Sequence, residues 1–270
     1  MNLQIAQRKN AKMKMALMGP SGSGKTYSAL LLAYGISKDW SKVVIIDTEN
    51  HSADLYSNLG PYYVCDLSTP FNPERYIEAL KLCEKSGAEV IIIDSVSHEW
   101  EYLLDYHSNL PGNSFTAWSK VTPRHTAFIQ AILQSPVHII LTCRTKQDYV
   151  LADKNGKTVP EKVGLKSIQR DGLEYEATLV FDLDIKNNAT SSKDRTGLFQ
   201  GKPELKLSSA IGGQIAEWCS AGQAFTEEML FEKIKEVTSL KELYDLYKQY
   251  PTLQESLKPK FEQRKLQLTL

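Results

Sequence analysis

At 270 residues the chain can hold one large α/β domain and a small appendage. It is 42% hydrophobic and 24% charged, and 32 basic residues balance 32 acidic ones, which argues against a protein that coats nucleic acid by bulk charge. Four scattered cysteines with no C-x-x-C pair argue against a zinc cluster or a disulfide framework, and no apolar run reaches the roughly 18 residues of a membrane span.

In chain order, the first element is a short apolar strand, Met15–Met18, reached without a signal-peptide layout. It runs into Gly19-Pro20-Ser21-Gly22-Ser23-Gly24-Lys25-Thr26, the G-x-x-x-x-G-K-T pattern of a phosphate-binding P-loop. Glycines let the backbone curl so that successive N–H groups face phosphate oxygens. Lys25 would reach the outer phosphates, and Thr26 would offer its hydroxyl to Mg²⁺. Tyr27 and the helix-like "SALLLAYGI" follow, so a positive helix end also faces the phosphates. The expected ligands are ATP and Mg²⁺.

Three β-branched runs come next: "KVVIIDTEN", "AEVIIIDSVSHEW" and "PVHIILTCRTKQD". Such runs suit strands buried on both faces. Helical stretches separate them, which predicts an α/β fold with a mostly parallel central sheet. Ligands in these sheets bind beyond the carboxyl ends of the strands. Lys25, Asp47, Glu49, Asp94 and Thr142 are therefore expected on one rim. Asp94 reads as the Walker B acid that holds Mg²⁺. Glu49 reads as the general base for a water attacking the γ-phosphate. Asp47, closer to its own strand, reads as structural.

Between the second and third of these runs lies "NSFTAWSKVTPRH", which mixes Phe115 and Trp118 with Lys120 and Arg124. Rings beside cations suit single strands. The competing reading packs Trp118 in the core and starts a helix after Pro123. Residues 144–170 then hold seven basic residues against three acids. Asn155-Gly156 marks a hairpin there, with "GLKSIQRDG" as a basic loop after it. Lys162, Lys166 and Arg170 could neutralise phosphates, although a solvated charged hairpin has the same composition. The histidines have no metal-ligand spacing and read as structural or surface groups.

"ATLVFDLDIKNN" and "TGLFQG" look like strands on either side of Lys193 and Arg195, which a strand would aim to one face. From Thr226 onward the pattern is helical, with Thr226 and Ser239 as caps and Pro259 as an interruption. The expected division is an ATPase core over 1–222 and a helical appendage over 223–270.

The P-loop, "VVIIDTENHSADLY" and "VIIIDSVS" together resemble the RecA/KaiC-like ATPase core. "NSFTAWSKVTPRH", "HIILTCRTKQDYV", "QRDGLEYEATLVFDLDI" and "KDRTGLF" resemble the small phage ATPases of that group that act in single-strand annealing. The resemblance covers roughly residues 10–205. It implies ATP hydrolysis, single-stranded DNA binding with a DNA-contacting loop after the fourth strand, and homo-oligomers, with a single-strand-binding protein as a further partner. It places the protein in a bacterial host cytoplasm, in keeping with reduced thiols. It also implies that Lys193 and Arg195 reach a neighbour's γ-phosphate, as a catalytic pair with Glu49 and Lys25. Where RecA carries an Asn-Gln switch, this chain has Thr142-Cys143 and then Arg144, so Thr142 or Arg144 would sense the γ-phosphate. RecA's long amino-terminal arm is missing. Two other readings remain open: a P-loop small-molecule kinase, and a non-catalytic ATP-dependent DNA clamp or loader.

Overall fold

A computed structural model describes residues 11–154, 157–170, 172–221, 227–249 and 254–269, with the backbone alone over 147–165. The strands are β1 (Lys14–Gly19), β2 (Val43–Asp47), β3 (Tyr63–Asp66), β4 (Val90–Asp94), β5 (His138–Lys154), β6 (Lys157–Ser167), β7 (Leu179–Leu183) and β8 (Ala189–Asp194). The sheet runs in the order β3-β2-β4-β5-β1-β7-β8. All neighbours in it are parallel except β8, which pairs antiparallel with β7.

The central strands are apolar between their charged ends because both faces are covered. Every residue of β1, β2 and β4 is buried. Alternate residues enter opposite cores, as the two-residue repeat of a strand requires. Met15, Leu17, Ile45 and Ile92 pack with Leu30 and Ala33 of α1 (Lys25–Ser37). Ala16, Ile46, Ile91 and Ile93 pack instead with Tyr76 and Leu80 of α2 (Pro73–Lys85). α3 (Ser97–Ser108) follows β4 directly, so the chain turns into a helix right at the sheet rim.

Four sequence expectations change. The edge strand β3 was not legible, because only four residues pair and three of them are exposed. α4 spans Ser114–Gln134 and contains Pro123, rather than starting after it. Asn113 caps it, its side chain accepting from the Phe115 N–H at 2.8 Å. Val121, His125, Phe128 and Ile132 bury one face of α4, and that packing outweighs the one backbone bond a proline removes. The supposed basic loop after the hairpin begins as strand: β6 continues through Lys166 to Ser167, paired with β5 up to Thr145. The arms pair as a hairpin with Lys154 opposite Lys157, and the turn residues Asn155 and Gly156 lie outside the described residues. Finally, "TGLFQG" is not a strand. It wraps the Asp194 carboxylate, which accepts from the N–H groups of Thr196, Gly197, Phe199 and Gln200. A short helix α5 (Leu173–Glu176) precedes β7, and α6 (Ser209–Ser220) follows β8.

The chain divides into two compact units, with Ala11–Cys219 in one and Ser220–Leu270 in the other. The second contains α7 (Glu227–Glu236), α8 (Leu240–Gln249) and α9 (Gln254–Thr269) around Leu230, Ile234, Leu243, Leu257 and Phe261. Ser239 caps α8, its Oγ accepting from the Glu242 N–H at 3.2 Å. The proposed cap Thr226 lies outside the described residues. α9 runs through Pro259 without a break. No helix among the described residues is long and apolar enough to cross a membrane.

Candidate functional site

The carboxyl ends of β1, β2, β4 and β5 bring Lys25, Asp47, Glu49, Asp94 and Thr142 onto one rim. At the end of β1 the loop curls because Gly22 and Gly24 take left-handed φ values of 80° and 79°. Lys25 begins α1 just beyond, and its ammonium donates to the carbonyls of Gly19 and Pro20 at 2.9 Å each. Burial lowers the Lys25 pKa, against the opposing pull of Asp94 and Glu49. Ser23 Oγ is fully buried in the loop and has no hydrogen-bond partner. A polar atom stranded in a loop of inward N–H groups is what a phosphate ligand would satisfy.

Asp94 ends β4 opposite Asp47 in the register and is 2% exposed. Its carboxylate accepts from the hydroxyls of Thr26, at 2.5 Å, and Thr142. Burial raises the Asp94 pKa, and the two hydroxyls counter it only in part. A buried carboxylate bonded to two hydroxyls is a hard-oxygen donor set that suits Mg²⁺. Thr26 and Asp94 would hold the ion.

Asp47 is structural, as its position suggested. Its two oxygens accept from the N–H groups of Glu49, at 2.6 Å, and Ala53, at 2.9 Å. That anchors the turn carrying Glu49. The Glu49 carboxylate itself is held by the Arg144 guanidinium in a two-pronged pair, with Nε at 2.8 Å from Oε1 and Nη2 on Oε2. Burial would raise the Glu49 pKa, but Arg144, helped by His98, holds it below the usual carboxylate value. Arg144 and Glu49 were expected in separate roles. The structure joins them.

His98 is the residue that sequence reading missed. It was taken as structural or surface, yet its Nδ1 lies 2.8 Å from Thr48 Oγ1 and its Nε2 4.0 Å from Glu49. The available signal was its place four residues after Asp94, in the first turn of a helix that starts at the rim.

A family model described as an AAA domain matches residues 11–206. The chain belongs to this AAA domain family. It is thus a P-loop NTPase, and the family implies nucleotide use, usually with Mg²⁺. No curated protein matches the chain.

Two further groups of predicted residues lie elsewhere on the AAA domain. Lys193 ends up at the far end of the strands from the P-loop. β8 runs antiparallel to β7, so Asp194 sits opposite Leu179, level with Met15 at the start of β1. Arg195 follows directly. Lys193 Nζ donates to the carbonyls of Glu174 and Tyr175 at 2.7 and 2.6 Å, and Arg195 Nη2 to Tyr175 at 3.1 Å. The two cations do converge, on the end of α5. The structure does not bring them to the chain's own phosphate loop.

The second group lines a cleft of about 580 Å³ between α3, α4 and the loop after β6. Trp100 and Trp118 stack there at 5.9 Å, and Lys146, Lys166 and Arg170 line the same cleft. The buried pair Glu99–His125, at 3.1 Å, pins α3 to α4 and so fixes the ring pair. Trp118 is half-buried at the cleft rather than packed in the core. Arg124 is not part of this cleft, since it forks onto Glu74 at 2.8 and 2.7 Å. Phe115 is 85% exposed. Lys162 lies on β6, and its side chain is outside the described residues.

Proposed function

We propose that this AAA domain hydrolyses ATP as an oligomer and binds single-stranded DNA, promoting strand annealing or pairing. The observation that carries the DNA reading is the cleft that two stacked tryptophans line together with Lys146, Lys166 and Arg170. Exposed bases stack on such rings while the cations neutralise phosphates. The loop that supplies Arg170 is tied to the nucleotide rim. The Ile168 N–H donates to the Arg144 carbonyl at 2.7 Å, and Gln169 Nε2 donates to the Val96 carbonyl at 3.0 Å.

In this reading the P-loop N–H groups and Lys25 bind the phosphates, while Thr142 orients Asp94. Mg²⁺, when bound, supplies positive charge that offsets the charge on the phosphates. Glu49 takes the proton from the attacking water. A carboxylate locked in an arginine fork is a weak base with both oxygens occupied, so Arg144 must let go first. The γ-phosphate is the natural new partner for its guanidinium. Lys193 and Arg195, far from their own P-loop, serve the site of a neighbouring copy. Two measurements test the whole reading: ATP turnover with and without single-stranded DNA, and a gel shift across salt. We expect stimulation and a shift that weakens as salt rises. No stimulation together with no shift at low salt overturns the DNA reading. Transfer of the γ-phosphate to a small molecule instead of water would favour a kinase.

A further inference from the structure

We infer that His98 positions Glu49 for proton abstraction once Arg144 has withdrawn; this rests on the reading of Glu49 as the base. The ground is the way His98 is held. Thr48 Oγ1 accepts from the Ser95 N–H at 2.9 Å, so its single proton is free to be donated onward. The nearest acceptor is His98 Nδ1 at 2.8 Å, closer than the carbonyls of Asp94 at 3.2 Å and Ser95 at 3.3 Å. With Nδ1 accepting, the network assigns the ring proton to Nε2. That N–H faces Glu49 Oε1 at 4.0 Å. Phe71 stacks on the imidazole at 4.9 Å with an interplanar angle of 18°, which limits ring rotation. Behind this, Thr48 is tied to the Walker B strand by its own N–H to the Asp94 carbonyl at 2.8 Å.

The present 4.0 Å gap has a simple cause. Oε1 is occupied by Arg144 Nε at 2.8 Å. When the guanidinium leaves, Glu49 loses its two-pronged orienting partner. A carboxylate at the end of a free side chain samples many rotamers, and few aim it at a water in line with a phosphorus atom. A hydrogen bond from His98 Nε2 to one oxygen fixes the carboxylate and leaves the other oxygen for the water proton. His98 is thus a positioning residue, acting through Glu49 and not on the nucleotide.

The test measures kcat and KM for ATP in His98→Ala, His98→Gln and Glu49→Gln, and in the Ala and Gln changes combined at 98 and 49. His98→Ala should lower kcat at least about tenfold and leave KM within about twofold. His98→Gln should recover most of the loss, because its amide N–H reaches the same point. In the Glu49→Gln background, His98→Ala should cost nothing further, since the residue it orients is already disabled. If the alanine variant is insoluble, Phe71→Leu frees the ring without removing a polar group and should also lower kcat at constant KM. An unchanged kcat in His98→Ala overturns the proposal, as does an equal loss in both Glu49 backgrounds. Full turnover in Glu49→Gln is a different result, and it overturns the reading of Glu49 as the base.

Discussion

The two ends of one sheet carry opposite kinds of polar chemistry. At the carboxyl rim, Lys25, Asp94, Thr142, Glu49 and Arg144 are buried or half-buried, with Thr142 bonded to Asp94, Arg144 to Glu49 and Lys25 to the loop carbonyls. At the amino end, Lys193 and Arg195 grip backbone carbonyls at the surface, with Arg195 exposed. The rim is a nearly complete phosphate site. The far pair lies away from its own phosphate loop, with Glu174 and Glu176 within electrostatic reach of Lys193. The sheet fixes this separation, because β1 and β7 are parallel while β8 returns toward their starting ends. If the pair has a catalytic target, the target belongs to another copy.

The largest effect should come from breaking the far end. Arg195→Ala is expected to lower turnover by about a thousandfold or more while nucleotide affinity changes little. Mixing it with Lys25→Ala chains should restore activity, since some interfaces pair one intact loop with one intact arginine. No rescue in a mixture that demonstrably co-assembles would break the comparison. At the near end, Glu49→Gln should lower turnover by about a hundredfold or more with ATP binding kept. Turnover that survives it would mean the rim holds its base elsewhere.

A smaller effect is expected in the aromatic cleft. Trp118→Ala should weaken single-stranded DNA binding by about tenfold, the scale of one lost stack. Replacing Lys166 and Arg170 by Gln should instead make the salt dependence shallower, by about 1.4 units of slope in log–log form, about 0.7 for each phosphate contact on a single strand. If the two variants behaved alike, the division of labour between rings and cations would fail.

A separate effect, on folding and not on function, concerns stability at the strand starts. His138 Nδ1 accepts the Met13 N–H at 3.1 Å, which requires an unprotonated nitrogen. Burial, and then the charges of Lys12 and Lys14, push its pKa down from 6.5 to about 4. The unfolded chain thus binds a proton that the folded one refuses. Stability should fall as pH drops from 6.5 toward 4, by about 3 kcal/mol in total from this group. Urea midpoints at pH 7 and pH 4.5 would measure it, and His138→Gln should flatten the acid side. An equally steep loss in that variant would assign the acid sensitivity to other groups.

The sequence by itself determined the P-loop, the parallel sheet and the acids at the strand ends. Each of those is written locally: a glycine pattern that only a curled backbone needs, and β-branched runs that only a doubly covered sheet tolerates. The position of Asp94 behind four hydrophobics follows from the same local logic, whereas the order of strands in the sheet does not. Pairings between distant residues were not legible that way. Arg144 and Glu49 are 95 positions apart, and nothing near either one announces the other. Trp100, Trp118 and Arg170 meet only because α3, α4 and the end of β6 converge. His98 looked like surface until a helix start placed it against Thr48 and Glu49. The far location of Lys193 and Arg195 depended on the direction of β8, which a strand pattern does not encode. Tertiary structure decided these points because charge and ring contacts act through space over a few ångströms, whatever the separation along the chain.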